Sequence, residues 1–426
     1  MARAVINLRM TKQNHNAYLS IIGNQHNFTA ACRTYQGLTG QFYQRILNII
    51  KKLRRTAQIQ TELYTIQGVE NILTPALIYY KDEIFENTRK TIEIAGGAER
   101  LWPHVKSHKM KKMIEMQKAM GIHRFKCATL AEVKMVAECG AEHILLAYPL
   151  VGPNIKAFIS LVKEFPKTHF YALEDDLSCL HALQAEAEKQ NAVLGWFADV
   201  NMGMNRTGVE TAHLYEFIKA ALENPSENVP FSGLHCYDGH VHTTDLMDRE
   251  AEVTDMVESI ADVLDALSED GIEVPMIIAG GSPSFPCHAA NPDIFLSPGT
   301  VFLWDSSYKE NYPDLPYIPA AAVCTRVISH PAPGVFTFDL GCKGIASDPP
   351  GVRGKVVGLE NAEPMFQSEE HWTWRMKPGF ENERPKIGDV FYVIPTHICP
   401  TTALYSEVLV AENHVITEHW TVDARR

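Results

Sequence analysis

Three short segments of this 426-residue chain carry side chains that could bind and activate a carbonyl compound. In LWPHVKSHK, Lys106 follows His104 by two residues. A lysine amine can form a Schiff base with an aldehyde, and a neighbouring imidazole can move protons. Further along, NMGMNRTG contains Arg206 and LHCYDGH contains Tyr237, two residues that can hold an aromatic ring. Each segment alone is a weak signal, because most surface lysines are simply solvated.

A glycine-rich segment adds the possibility of binding a phosphate. Gly280, Gly281 and Ser282 begin the sequence GGSPSF, in which the glycines would let backbone N–H groups close around an anion. Such a sequence is more often only a turn. A lysine, an arginine, a tyrosine and a phosphate loop at one site would, however, match the needs of pyridoxal phosphate.

The surrounding sequence predicts a fold that brings these residues together. Short β-branched and aromatic segments alternate with amphipathic helical segments, and eight strands in about 210 residues predict a (β/α)8 TIM-type barrel. An open doubly wound sheet is the alternative, but no GxGxxG follows the first strand. The predicted strands are residues 76–80, 100–105, 123–128, 143–148, 169–173, 193–200, 231–237 and 275–280.

Barrel enzymes carry their chemistry at the C-terminal ends of the strands. Lys106 follows the second predicted strand, Arg206 the sixth, and Tyr237 ends the seventh. The loop at Gly280 ends the eighth. The predicted barrel therefore places all four features on one rim.

The domain organisation changes twice along the chain. Residues 74–293 are predicted to form the barrel, and residues 294–426 read as strands separated by Pro, Gly and Asn, which predicts a C-terminal all-β domain. Residues 62–73 are expected to add a strand to that domain. Residues 1–61 carry nine Lys and Arg and no Asp or Glu, which predicts a disordered basic leader. The leader is either an organellar transit peptide or translated sequence upstream of the native start, with an RNA- or membrane-binding helix as a third option.

Composition excludes several other classes of protein. The formal net charge of −12 argues against nucleic acid as a partner. No run of eighteen apolar residues predicts a membrane-spanning helix. The 9 cysteines form no CxxC pair, which indicates reduced thiols and a cytoplasmic protein, unless the leader directs it to an organelle.

These motifs resemble those of a known family of enzymes. PHVKSHK, NMGMNRTGV, GLHCYDGHVH, AGGSPSF, DLGCKGIASDP and PTHICPT are together similar to the D-threonine aldolase and D-serine dehydratase family. Its members are fold-type III pyridoxal phosphate enzymes, distantly related to alanine racemase, and the resemblance extends over about residues 63 to 420. It implies a homodimer. It also implies that Lys106 forms the Schiff base and that Arg206 and Tyr237 contact the cofactor ring. The phosphate site is implied at Gly280, Gly281 and Ser282.

The resemblance also implies a divalent metal bound by His397 and Cys399 in PTHICPT. On a strand, a His-x-Cys pair would direct both side chains to one face. Imidazole and thiolate favour zinc over magnesium, with manganese as the other candidate, and two protein ligands leave positions open for water and substrate.

The family implies a lyase that acts on D-3-hydroxy amino acids, with His104 as an accessory acid or base or as an orienting group. The β-domain motifs resemble the aldolase branch, which favours retro-aldol cleavage to glycine and an aldehyde. Elimination to a 2-oxo acid and ammonia stays open, because Cys399 stands where the aldolases more often carry Asp.

Two further functions are weighed against a lyase. An amino-acid racemase needs a second acid or base on the opposite face of the cofactor, and the sequence offers no clear candidate. A non-catalytic pyridoxal phosphate-binding protein would need neither the β domain nor the metal pair.

Overall fold

The computed structural model describes residues 62–348 and 350–425, together with two short strands near the N-terminus. These strands, β1 (Val5–Leu8) and β2 (Leu19–Ile22), pair antiparallel. These two segments lie within the predicted basic leader, and their apolar and β-branched residues suit strands. The rest of the predicted leader, and with it the choice between a transit peptide and upstream sequence, lies outside the described residues.

The first predicted barrel strand belongs to a different sheet. Strand β3 (Ala76–Tyr80) pairs antiparallel with residues 321–324 and parallel with residues 409–411, both in the C-terminal part of the chain. The prediction that residues 76–80 open the barrel is therefore wrong. Its last four residues are all buried, and an apolar strand covered on both faces has the same sequence pattern in a barrel as in the middle of another sheet.

The barrel itself consists of seven parallel strands and one closing segment. Its seven strands are β4 (Arg124–Cys127), β5 (His143–Leu146), β6 (His169–Glu174), β7 (Gly195–Asn201), β9 (Phe231–Cys236), β10 (Ile277–Ala279) and β11 (Ile294–Leu296). The short strand β8 (Val209–Glu210) pairs only with β7 and is not part of the ring. They pair in the order β11-β10-β9-β7-β6-β5-β4. Residues 101–104 close the ring, because Leu101 bridges to Leu296 and His104 bridges to Lys126, both in parallel. The predicted TIM-type barrel is confirmed, with residues 294–296 in the place of residues 76–80.

Helices connect the strands around the outside of the barrel. They are α1 (Lys81–Ala95), α2 (Lys111–Ala119), α3 (Leu130–Glu138), α4 (Pro153–Glu164), α5 (Leu177–Gln190), α6 (Thr211–Leu222), α7 (Leu246–Glu269) and the short α8 (Phe285–His288). Thr129, Asp176 and Asp245 cap three of them by accepting backbone N–H groups of the first turn, which marks in the sequence where those helices begin.

Large side chains fill the inside of the barrel. Trp102, Leu145, Leu173, Phe197 and Ile278 form one buried cluster. Burying each such side chain contributes about 1.5–3 kcal/mol. This cluster fills the inside of the barrel, and the strand ends are where barrels of this type carry binding sites.

The C-terminal part of the chain forms a nine-stranded sheet that includes β3. Its other elements are α9 (Ser306–Asn311), β12 (Ala321–Ala332), β13 (Val335–Phe338), β14 (Gly354–Val356), β15 (Ala362–Gln367), β16 (Trp372–Met376), β17 (Val390–Pro395), α10 (Ile398–Leu404), β18 (Glu407–Glu412) and β19 (Val415–Thr421). The predicted mostly-strand domain is confirmed. Strand β15 carries Pro364, which is tolerated because a strand at the edge of a sheet does not need every N–H group.

Residues 62–73 pack against this sheet without adding a strand to it. Residues 62–64 are helical, and a 3-10 turn follows at Val69–Asn71, preceded by Gly68 at φ 73°. Tyr64 nevertheless packs edge-on against Tyr80 at 5.1 Å between ring centroids, and its hydroxyl donates to Pro319 O. The prediction of an additional strand is wrong because the left-handed glycine turns the chain.

The described residues contain no helix that is long and apolar enough to cross a membrane. The cysteines among them are free thiols, as their scattered positions predict.

Candidate active site

Lys106 lies in a single helical turn directly after the closing segment of the barrel. The turn spans Val105–Ser107 and begins at His104, whose Nδ1 accepts a hydrogen bond from the Lys106 N–H at 3.3 Å. Ser107 Oγ anchors the turn by donating to Gly299 O at 2.8 Å. These hydrogen bonds between side chains and backbone therefore hold Lys106 at the C-terminal rim of the barrel.

Two adjoining cavities of about 490 and 460 Å³ open at this rim. Both are lined by His104, Lys106, Lys126 and Tyr237. The first cavity also reaches Arg206. The second also reaches Gly281, Ser282, His397 and Cys399. Of the residues that the sequence singles out, Gly280 alone lines neither cavity.

Three cations surround the ring of Tyr237. Lys106 Nζ lies 5.6 Å from the ring centroid, Lys126 Nζ 5.2 Å and Arg206 Cζ 5.0 Å. None of the three forms an ion pair with a carboxylate of residues 62–348 or 350–425. Such a concentration of positive charge without acidic partners suits an anionic ligand.

The glycine loop is a preformed turn. Gly280 has φ +87°, and a Cβ there would lie 2.9 Å from Phe285 Cα, so only glycine fits. Ser282 Oγ accepts the N–H of Thr300 at 2.9 Å and that of Gly299 at 3.3 Å. The loop and the segment after β11 are thus joined around the second cavity.

A buried aspartate that sequence reasoning missed supports this loop. Asp238 Oδ1 accepts the N–H of Gly281 at 2.8 Å and the hydroxyl of Ser284 at 2.7 Å, while Oδ2 accepts His288 Nε2 at 2.8 Å. Burial alone would raise the pKa of Asp238, but the contacts with His288 and Ser284 outweigh it and lower the pKa. An anionic Asp238 therefore fixes Gly281, whose N–H is no longer free for a phosphate. The sequence signal was the Asp directly after Tyr237 in YDGH.

His397 and Cys399 do face the same cavity, but they lie at the start of α10 and not on a strand. His397 precedes the helix and Cys399 lies in its first turn, where Thr300 Oγ1 is 3.3 Å from Cys399 Sγ. The strand before them ends at Pro395. A helix then begins at Ile398, and Pro400 is tolerated there because it lies in the first turn. The helical turn, and not strand alternation, brings the two side chains together.

Asp348 completes the surroundings of His397. Its Oδ2 lies 2.6 Å from His397 Nδ1, which leaves Nε2 for another partner. Burial would lower the pKa of His397, but contact with Cys399 and Asp348 raises it to about 9. A carboxylate on the far nitrogen is the arrangement that orients metal-binding histidines. Among the described residues, however, no group of three or more His, Cys, Asp or Glu side chains is arranged to hold a metal ion.

The site also contains a buried lysine that sequence reasoning did not single out. Lys126 is 1% exposed, on β4. Burial, followed by the charge of Lys106, lowers its pKa to about 7. The signal was present in HRFKCA, where a lysine interrupts an otherwise strand-like segment.

His104 has an electrostatic environment that keeps it neutral. Burial, reinforced by Lys106 and Lys126, lowers its pKa well below the ordinary value. Because Nδ1 accepts the Lys106 N–H, the proton of the neutral ring is assigned to Nε2. The geometry thus gives His104 an orienting role in the Lys106 turn, and a proton on Nε2 that it could donate.

A lysine, a glycine loop and a tyrosine ring surrounded by three cations thus lie on one barrel rim. The chain belongs to the family described as "Alanine racemase, N-terminal domain", whose model matches residues 80–303. A second model, described as "Putative serine dehydratase domain", matches residues 320–411.

Individual relatives support a narrower family. The chain is 27% identical to a D-threonine aldolase of Arthrobacter sp over 332 residues, 76% of this chain and 85% of that protein. It is 26% identical to a 3-hydroxy-D-aspartate aldolase of Paracoccus denitrificans (strain Pd 1222) over 369 residues, 83% of this chain and 92% of that protein.

Solved structures show the same fold. D-threonine aldolase from Filomicrobium marinum has a TM-score of 0.77 at 24% identity, and the match covers 84% of this chain and 96% of that one. D-threo-3-hydroxyaspartate dehydratase from Delftia sp. HT23 has a TM-score of 0.73 at 18% identity, covering 83% and 98%. The predicted resemblance to the D-threonine aldolase and D-serine dehydratase-like family is confirmed by these matches.

Proposed function

We propose that this protein is a pyridoxal phosphate- and divalent metal-dependent lyase that cleaves D-3-hydroxy amino acids by a retro-aldol reaction. One observation carries the proposal: the cavity lined by Lys106 and Ser282 is also lined by His397 and Cys399. A cofactor lysine, a phosphate turn and a pair of metal ligands thus share one space.

The residues present fit pyridoxal phosphate. Lys106 supplies the amine that would bind its aldehyde, and Arg206 supplies positive charge beside the same Tyr237 ring. The hydroxyl of Ser282 and the neighbouring Thr300 line the part of the cavity nearest the glycine loop, where the phosphate would lie. When bound, the cofactor withdraws electrons from the bonds at the substrate Cα.

The donor set also fits a divalent metal. His397 Nε2 and Cys399 Sγ would supply an imidazole and a thiolate, which favour zinc, and Asp348 would orient the imidazole. With only two protein ligands, open positions would remain for the substrate hydroxyl. The metal would act there as a Lewis acid.

The chain's own groups then determine which bond breaks. Removal of the proton from the β-hydroxyl breaks the Cα–Cβ bond and gives glycine and an aldehyde. Removal of the α-proton instead, with loss of the hydroxyl as water, gives an enamine that water hydrolyses to a 2-oxo acid and ammonia. In the first case the neutral His104 or Lys106 can return a proton to Cα; in the second, the Lys106 amine takes one from it.

The retro-aldol reaction is the preferred proposal because the two relatives of highest sequence identity described above are aldolases. The second candidate is a D-serine dehydratase-like elimination. Cys399 favours it, because a thiolate is a softer donor than the carboxylate expected in an aldolase.

Product analysis distinguishes the two reactions. The purified protein, supplied with pyridoxal phosphate and either zinc or manganese, is incubated with D-threonine and with D-serine, and with their L-enantiomers as controls. Acetaldehyde and glycine from D-threonine would support the aldolase. Ammonia together with pyruvate or 2-oxobutyrate would instead support the dehydratase reaction. Racemised amino acid would contradict both reactions.

We further propose that the protein acts as a homodimer, as the family resemblance implies. Light scattering coupled to size-exclusion chromatography tests this directly. A mass near 48 kDa, the 47.7 kDa of one chain, at micromolar concentration would contradict it.

A further inference from the structure

Lys126 is a buried cation whose hydrogen-bond partners are both neutral. Its Nζ donates to Ser297 Oγ at 2.7 Å and lies 3.4 Å from His235 Nε2. His235 Nδ1 in turn lies 2.7 Å from Asp199 Oδ1. Because Nδ1 faces a carboxylate, it carries the ring proton, and Nε2 is free to accept from Lys126.

No carboxylate among the described residues lies within ion-pair distance of Lys126 Nζ. The contrast with Lys109, which lines the same cavity, is direct: Lys109 forms an ion pair with Glu132. Taking an unpaired ammonium out of water is unfavourable. Near neutral pH the position therefore favours either loss of the proton or the arrival of an anion.

The surroundings show from which side an anion can arrive. Lys126 lines both cavities, and its Nζ lies 5.2 Å from the Tyr237 ring centroid. Ser297 Oγ, which accepts from Lys126, donates to Gly280 O at 2.9 Å. Lys126 is thus connected on one side to the glycine loop and lies on the other side beside the ring that Lys106 and Arg206 also approach.

We infer that Lys126 is a second cofactor-site lysine, which binds an anionic group of the phosphorylated pyridine cofactor together with Arg206. The inference rests on the proposed function, since it takes the ligand to be pyridoxal phosphate. The His235–Asp199 pair is the positioning element, because it holds the ammonium beside the cavity. Thr207 Oγ1 donates to Asp199 Oδ2 at 2.7 Å and so connects this pair to the loop that carries Arg206.

The test measures non-covalent affinity, so that the bond to Lys106 plays no part. The probe is pyridoxine 5'-phosphate, which lacks the aldehyde, and its dissociation constant is obtained by calorimetry at pH 6.5. Lys126→Met should weaken binding roughly 10- to 100-fold, as expected for the loss of a charge-assisted hydrogen bond. Lys112→Met, at an exposed lysine of α2 paired with Glu115, is the matched control and should leave the affinity unchanged.

The pH dependence gives a second readout, which a merely structural role would not produce. The charged groups around Lys126 are Lys106, Arg206, Asp238, Asp199 and His235. Since burial lowers the pKa of Lys126 to about 7, raising the pH from 6.5 to 8.5 should remove its charge from the free protein. The ratio of the two dissociation constants, Lys126→Met over wild type, should therefore fall towards one. Equal affinities of variant and wild type at pH 6.5 would overturn the inference.

Two further outcomes are kept apart. If Lys126→Met does not fold, the wild-type protein alone provides the test. Its affinity for pyridoxine 5'-phosphate should weaken between pH 6.5 and 8.5, although the ligand's phosphate does not lose charge over that range. Constant or tighter binding would contradict the role of Lys126. If the wild type binds neither pyridoxine 5'-phosphate nor pyridoxal 5'-phosphate, the proposed function itself fails. Unchanged affinity in Lys126→Met with normal binding by the wild type refutes only the role of Lys126.

Discussion

Replacing Glu174 by Gln should stabilise the protein, and the gain should grow with pH. Glu174 ends strand β6, is fully buried, and neither carboxylate oxygen has a hydrogen-bond partner among the described residues. Burial, helped by the charges of Asp175 and Asp176, raises its pKa from 4.5 to about 8. The folded protein therefore keeps the side chain protonated at neutral pH, whereas the unfolded chain releases the proton.

The magnitude follows from linkage between protonation and folding. Below pH 4.5 both states are protonated, and the carboxyl group costs nothing extra. Between pH 4.5 and 8 the unfolded state is increasingly favoured, by about 1.4 kcal/mol for each pH unit. At pH 7 the free energy of unfolding of the wild type is thus about 3 kcal/mol lower than it would be without this ionisation. A glutamine never ionises, so the variant does not lose this stability.

Thermal unfolding followed by circular dichroism at pH 4.5 and 7 measures the effect. The Tm of Glu174→Gln should exceed that of the wild type by roughly 5 °C at pH 7 and match it at pH 4.5. Glu258→Gln removes an exposed carboxylate on α7 and is the control for a general charge effect. A Tm difference that does not change with pH would refute the reasoning, because it would show that Glu174 ionises equally in both states.

The remaining predictions concern the candidate site. Lys106→Ala should abolish the visible absorption band of bound pyridoxal phosphate, and a band that persists would remove Lys106 from its proposed role. His397→Ala and Cys399→Ala should each keep that band but lose lyase activity. Chelation should have the same effect on the wild type, and full activity in both variants after chelation would contradict the metal site. Gly280→Ala should lower cofactor affinity at least about tenfold, because a Cβ 2.9 Å from Phe285 Cα must displace the loop, and equilibrium dialysis with unchanged cofactor retention would show that the loop plays no part.

Much of the candidate site could be predicted because its residues lie next to recognisable strand ends. Lys106, Arg206 and Tyr237 each follow a short apolar segment, and parallel strands deliver their C-terminal ends to one rim. The local structure around them was harder to predict. The pair His397 and Cys399 was expected on a strand and starts a helix instead, because two residues at a segment boundary carry no periodicity of their own.

Residues that act through contacts remained hidden for a different reason. Asp238 and Asp348 are ordinary acidic residues in the sequence, and their importance arises from partners 50 and 49 positions away. Separations of this length are not encoded in any local pattern, so only the folded chain identifies these two residues as supports of the loop and of His397.

The sequence by itself determined the alternation of strands and helices, the mostly-strand C-terminal domain and the chemistry available at the rim, because hydrophobic periodicity and glycine positions are local properties. Only the tertiary structure decided that residues 76–80 join the second sheet while residues 294–296 enter the barrel, since an apolar strand buried on both faces fits either place. It alone also decided that Lys126 is enclosed beside the cavity. The environment of that lysine exists only once residues 101–104 have closed the ring of strands around it.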